Sequence, residues 1–210
     1  MRISFLHTID ANQAIFEQAA NDLGLSAEHL HHEVRADLRV AVQLAGGITS
    51  ELRQAITRCL LDLSAEADAV VVTCATLGPA VDGLPHFPIP IVRADAALAS
   101  AAAKAGGSVV VLCAAESAIE STRRLFETFT AAANQGPVTV VHVPRVWALF
   151  SGGDFDACLA ETARAAERAY DIGATVVAFA HPWMAPAVSL IRAGHVALDS
   201  PRAALRAVMQ

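Results

Sequence analysis

The chain has 210 residues, 54% of them hydrophobic and 17% charged, with a formal net charge of -6. That content can bury a sizeable core as one large domain or two small ones. The acidic balance and scattered arginines leave no basic stripe for phosphates, which argues against nucleic acid, and no apolar run approaches the roughly 18 residues of a membrane span. The opening MRISFLHTID reads as a strand and lacks the apolar core and cleavage site of a signal peptide, so a cytoplasmic location is expected. Cys59, Cys74, Cys113 and Cys158 have neither CxxC spacing nor disulfide density, which suits a reducing compartment.

In chain order, Arg2 to Leu6 is strand-like, and Ala11 to Leu23 carries helical spacing that stops at Gly24. A second strand is expected over His29 to Val34. After Gly46 and Gly47, Thr49 or Ser50 caps a long amphipathic helix, and Ala69 to Thr73 is a short buried strand. Proline and glycine punctuate Gly78 to Pro90. Ile89 to Val92 is a strand ahead of the alanine-rich helix Ala94 to Ala105, which Gly106 and Gly107 close. SVVVLC is the next strand, and SAIE at Ser117 to Glu120 reads as a capping box for a helix running to about Ala133. Val138 to Val143 is strand-like, Asp154 caps a helix over Phe155 to Tyr170, Gly173 stops it, and Ala174 to Ala180 is a strand. Ser200 and Pro201 start a last helix. Cys59 and Cys158 fall within helical patterns, where a cysteine serves as a small hydrophobe.

Strands alternating with helices predict an α/β fold of two similar lobes, each a mainly parallel sheet flanked by helices. The first lobe is expected over residues 1–95, the second over 96–195, with 196–210 packing back on the first. A shift of 107 residues lays AVVVTCATLGPAV (Ala69 to Val81) over VVAFAHPWMAPAV (Val176 to Val188). In that register Cys74 lies opposite His181 and Thr76 opposite Trp183, each just past a hydrophobic strand.

Ligands of open parallel sheets bind beyond the carboxyl ends of the strands, and two related halves facing each other would bring Cys74 and His181 to one cleft. Thiolate and imidazole are the side chains most easily tuned to exchange protons near neutral pH. Backbone N–H groups after Cys74, with the Thr76 hydroxyl, suit a carboxylate. Cys113 also ends a strand and is the competing thiol, in a less polar neighbourhood. Structural roles remain the alternative for both Cys74 and His181.

His29, His31 and His32 have no second ligand cluster at metal spacing, so no metal is expected; one of them is taken to face the cleft and the others solvent. His7 and Thr8 end the first strand and line the cleft on the same topological ground, with a purely local role for His7 as the alternative. GxGxxG, GxxxxGK[ST] and GxSxG are absent, so neither a nucleotide cofactor nor a serine nucleophile elbow is indicated.

The stretches TCATLGPAVD, IPIVRADAALA, AAESAIESTRRLF and AFAHPWMAPAV together resemble the aspartate/glutamate/hydantoin racemase superfamily over nearly the whole chain. The resemblance implies two α/β lobes about a pseudo-twofold axis and a cofactor-independent site with one cysteine on each side of the substrate α-carbon. Cys74 matches the first cysteine, while His181 fills the place of the second. Thr76, beside Ala75, matches a carboxylate-holding residue, Ser117 falls in a loop that supplies hydroxyls, and Ala114 replaces one of these.

The expected function is therefore an enzyme acting at the carbon next to the carboxylate of a small acid, as a racemase or epimerase or as a one-sided decarboxylase or isomerase. Cys74 and His181 would be catalytic, and Thr76, Ala75, Ser117, His7, Thr8 and His32 would bind or orient the acid, with no cofactor. A carboxylate-binding protein without turnover and a thiol hydrolase are the rival readings. A homo-oligomer is compatible with the sequence.

Overall fold

The computed structural model describes every residue except 83, 85, 86 and 134–137. The chain forms two compact units, Met1–Ala97 with Ala204–Gln210, and Leu98–Ala203. The first contains β1 (Ile3–His7), α1 (Asn12–Asp22), β2 (Leu30–Val34), α2 (Ala36–Leu44), α3 (Ser50–Ser64), β3 (Ala69–Val72), the short α4 (Gly78–Val81) and β4 (Ile91–Arg93). Helix α5 (Ala94–Ala105) begins in the first unit and continues into the second. There follow β5 (Val109–Cys113), α6 (Ile119–Ala132), β6 (Val138–His142), α7 (Pro144–Ser151), α8 (Phe155–Asp171), β7 (Val176–Phe179), β8 (Val196–Asp199) and α9 (Ser200–Val208).

Each unit is built on a four-stranded sheet, ordered β2-β1-β3-β4 in the first and β6-β5-β7-β8 in the second. Among the described residues all six strand pairings are parallel. The expected α/β class and the repetition of one topology are thus both observed, and β3 and β7 stand in the 107-residue register of the sequence repeat. The valine runs follow from this arrangement, because a parallel strand covered on both faces has no solvent side on which to alternate polar residues.

Side chains along a strand alternate between faces, and the core of the first unit divides accordingly. Ile3, Phe5 and Val71 pack against Phe16, Ala19 and Ala20 of α1 and Ala204 and Leu205 of α9. Leu6, Val70 and Val72 pack on the other face against Leu38 and Val42 of α2 and Ile56, Leu60 and Leu63 of α3. In the second unit Val109, Val111, Val138, Val176 and Ala178 meet Phe126 of α6 and Leu98, Ala99 and Ala102 of α5. Cys59 and Cys158 are buried within α3 and α8, as their helical positions predict.

Two expected caps are made. Thr49 Oγ1 accepts the Leu52 N–H at 3.3 Å, and Asp154 Oδ1 accepts that of Ala157 at 3.2 Å. The capping box at Ser117 is not formed: Glu116–Ala118 is a 3₁₀ turn, and α6 starts after it with no side-chain cap. Ser117 lies inside that turn, and Ala118 takes the N-cap position instead. The sequence reading also lacks α2, α7 and β8. Helix α2 buries only Leu38 and Val42, too few positions to register as a period. Strand β8 pairs with β7, so residues 196–203, expected on the first lobe, belong to the second unit, and only the end of α9 returns. Part of the Gly78 to Pro90 stretch lies outside the described residues.

Gly107 has φ +78°, and a Cβ there would run into the Thr175 hydroxyl, which itself accepts the Ser108 N–H at 2.9 Å. Gly107→Ala combines left-handed backbone strain with loss of that tie. Urea denaturation should show it less stable by about 1–3 kcal/mol, with a lower midpoint and an unchanged m value.

Candidate active site

In the first unit the polar groups collect at the carboxyl ends of β1 and β3. Cys74 sits two residues past β3 in extended conformation, half-buried against the core on the α2 and α3 face. The chain then turns through a 3₁₀ segment, Ala75–Leu77, whose Leu77 is fully buried and donates its N–H to the Cys74 carbonyl at 3.0 Å. Ala75 is exposed and Thr76 half-exposed.

Two arginines brace this loop. Arg53 of α3 donates to the carbonyls of Pro79 and Ala80 at 3.0 and 3.1 Å. The Arg93 guanidinium pairs with Asp82 and Asp95 and lies over Gly78, where an added Cβ would come within 2.5 Å of it.

A buried polar chain runs beneath the loop. The Thr73 hydroxyl donates to the Leu6 carbonyl at 3.1 Å, which spends its only proton. Its oxygen must therefore accept from His7 Nδ1, at 3.0 Å. With the His7 proton on Nδ1, Nε2 is an acceptor, and His32 Nδ1 donates to it at 2.9 Å. His32 Nε2 then faces Glu17 Oε1 at 3.7 Å and has no hydrogen bond. Phe5, His7 and His32 stack with interplanar angles of 9° to 13°.

Burial, reinforced by the neighbouring His32, pushes the His7 pKa down to about 3. Burial also lowers that of His32, against the attraction of Glu17. Both ring nitrogens of His7 are engaged within the protein, and His32 lies inside β2, with His29 and His31 exposed. The structure brings His7 and His32 together as a support under the Cys74 loop and leaves neither a nitrogen open to a ligand.

Thr8, by contrast, is 2% exposed, and its hydroxyl bonds to no described residue. Asn12 escaped the sequence reading. It lies one turn before Phe16 on the buried face of α1, with its Oδ1 sealed and unpartnered. An asparagine on the apolar stripe of a helix, at i and i+4 with Phe16, is the signal that could have found it.

The second unit uses the same strand ends differently. His181, two residues past β7, accepts through Nε2 the backbone N–H groups of Ala114 at 3.0 Å and Ala115 at 3.3 Å, directly after β5. Its ring stacks on Trp183 at 5.1 Å and 6°, and Trp183 stacks on Phe150 at 4.2 Å and 15°. Burial lowers the His181 pKa to about 4.

Cys113 Sγ lies 3.6 Å from the same Nε2, but the thiol donates to the Ala115 carbonyl at 3.3 Å, and burial pushes its pKa up. Ser117 is exposed. His142, also missed by the sequence reading, ends β6 in register with Cys113, as His7 ends β1. Among the described residues no group of three His, Cys, Asp or Glu side chains could hold a metal ion.

Two parallel four-stranded α/β units of one strand order, with polar side chains gathered at their carboxyl ends, define a duplicated, two-lobed α/β class, and the fold is that of the racemases. The chain is similar to the aspartate racemase of Picrophilus torridus, at 14% identity over 99% of this chain and 92% of that one, with a TM-score of 0.74. It is similar also to a glutamate racemase from Bacillus anthracis, at 11% identity over 99% and 80%, TM-score 0.69. An allantoin racemase from Pseudomonas fluorescens matches at 19% identity over 100% and 89%, TM-score 0.57. No protein-family model and no curated protein matches the sequence.

The lowered histidine pKa values carry a stability consequence. The folded chain holds these imidazoles neutral where the unfolded chain takes up protons below about pH 6.5, so it binds fewer protons there. Stability present above pH 6.5 is lost as the pH falls toward about 3, the value for His7. Chemical denaturation at a series of pH values should show this slope, and His7→Asn, though less stable at pH 7, should lose less between pH 6.5 and 4.

Proposed function

We propose that the chain is a cofactor-independent enzyme of the aspartate/glutamate/hydantoin racemase superfamily, acting at the carbon next to the carboxylate of a small acid. Cys74 is the group that transfers the proton or attacks the substrate. The observation that carries this reading is thiol accessibility: Cys59, Cys113 and Cys158 are buried with their pKa values pushed up, and Cys74 alone is partly exposed. A buried thiol with a raised pKa is inert, whereas one at the carboxyl end of a parallel strand stands where ligands of such sheets bind.

Proton transfer at a carbon beside a carboxylate needs two things, a group to carry the proton and donors to hold the carboxylate as it gains charge. The Thr76 and Thr8 hydroxyls and the amides of Ala75 and Thr76 would serve as donors beside Cys74 in the first unit. The bracing of the Cys74 loop by Arg53 and Arg93 supports the same reading, because a group that must meet a carbon atom has to be held still.

A proton NMR screen of amino acids, hydantoins, malonates and maleate in D₂O tests the reading. Exchange at the α-carbon, loss of CO₂ or isomerisation of one of them is expected. Cys74→Ser should lower that turnover by roughly 10³-fold or more with an unchanged circular dichroism spectrum. Iodoacetamide at pH 7 should modify Cys74 faster than the other three cysteines; equal slow labelling of all four, with full activity in Cys74→Ser, would remove the thiol from the mechanism.

A further inference from the structure

Resting on the function proposed above, we propose that His181 is a fixed neutral hydrogen-bond donor through Nδ1 and not a base.

The argument begins at Nε2. Two backbone N–H groups point at it, at 3.0 and 3.3 Å, and only a lone pair can receive them. The third neighbour, Cys113 Sγ at 3.6 Å, gives its proton to the Ala115 carbonyl and asks for none from the ring. A proton on Nε2 would face two N–H dipoles at hydrogen-bond distance. The neutral ring therefore carries its proton on Nδ1, which bonds to no described residue and is not among the sealed, unpartnered atoms.

The ring cannot easily turn to change this assignment. Its face lies on Trp183, and Trp183 lies on Phe150, so a flip about Cβ–Cγ would give up both amide bonds and disturb a stack of three rings. The depressed pKa set by burial agrees with this geometry.

The contrast with the first unit bears on why the imidazole is there. Ala114 and Ala115 follow β5 as Thr8 and Ile9 follow β1, and the N–H groups of Thr8 and Ile9 have no acceptor among the described residues. Such paired amides past a strand form a concavity suited to an anion. In the first unit no described residue accepts from them; in the second the His181 ring does.

A second base must take up and release a proton in each turnover. Nε2 of His181 can take one only by breaking both amide bonds, and Nδ1 already holds one. A donor needs neither change. In the step proposed, the His181 Nδ1–H bonds a carboxylate oxygen on which charge grows.

Two measurements decide the matter. In protein labelled with ¹⁵N-histidine, long-range ¹H–¹⁵N spectra should show the His181 ring, assigned by its loss in His181→Gln, with Nδ1 protonated and Nε2 bare from pH 8 to pH 5. A proton on Nε2, or a titration centred near the ordinary value of about 6.5, overturns the proposal. This readout needs no turnover, so it stands apart from any failure of the Cys74 reading.

With a substrate from the D₂O screen, substitutions at His181 separate a donor from a base. His181→Gln, whose amide can both accept from the loop and donate, should keep roughly a tenth of the activity, and His181→Phe should lose about 10²- to 10³-fold. The pH profile of kcat/KM should be the same for the native enzyme and His181→Gln. Equal large losses from both substitutions, or a limb of the profile that disappears in His181→Gln, would identify a base.

Discussion

A parallel strand covered by helices on both faces has only its ends on which to place polar chemistry. In each unit the interior of the central strands is apolar, and the groups that can bond or react begin where the strands stop: His7 and Thr8, Thr73 and Cys74, Cys113 and His181. Every feature of the candidate site follows from this constraint. The backbone beyond each strand has amides the ladder no longer uses, and each must find an acceptor or remain open to a ligand.

The two units meet that constraint with different residues on one topology. In the first, a threonine and two histidines form a directional chain of hydrogen bonds under the Cys74 loop, and burial keeps the imidazoles neutral. In the second, the imidazole is the acceptor for the orphan amides themselves. A histidine satisfied in this way is chemically unlike a thiol at the same place in the repeat: its proton is confined to one nitrogen, and its ring is held by a stack of aromatic neighbours.

The fold was legible in the sequence wherever the signal was local. The valine runs, Thr49 and Asp154 as caps and the positive-φ glycines after helices depend on neighbours a few residues apart, and each predicted its element. Helices α2 and α7 and strand β8 were not legible, because each is short and gains its stability from the sheet it covers or joins. The capping box at Ser117 failed for a related reason. The motif was present, but the chain leaving β5 closes a 3₁₀ turn first.

For the candidate site, the residue order by itself determined which side chains stand at the strand ends and that one half carries a cysteine where the other carries a histidine. Only the tertiary structure decided what each of them bonds to. His7 meets Thr73 across 66 residues, and His181 meets Ala115 across 66. No local pattern records such a pairing, because it exists only once parallel strands distant in the chain lie side by side and bring their carboxyl ends to one edge.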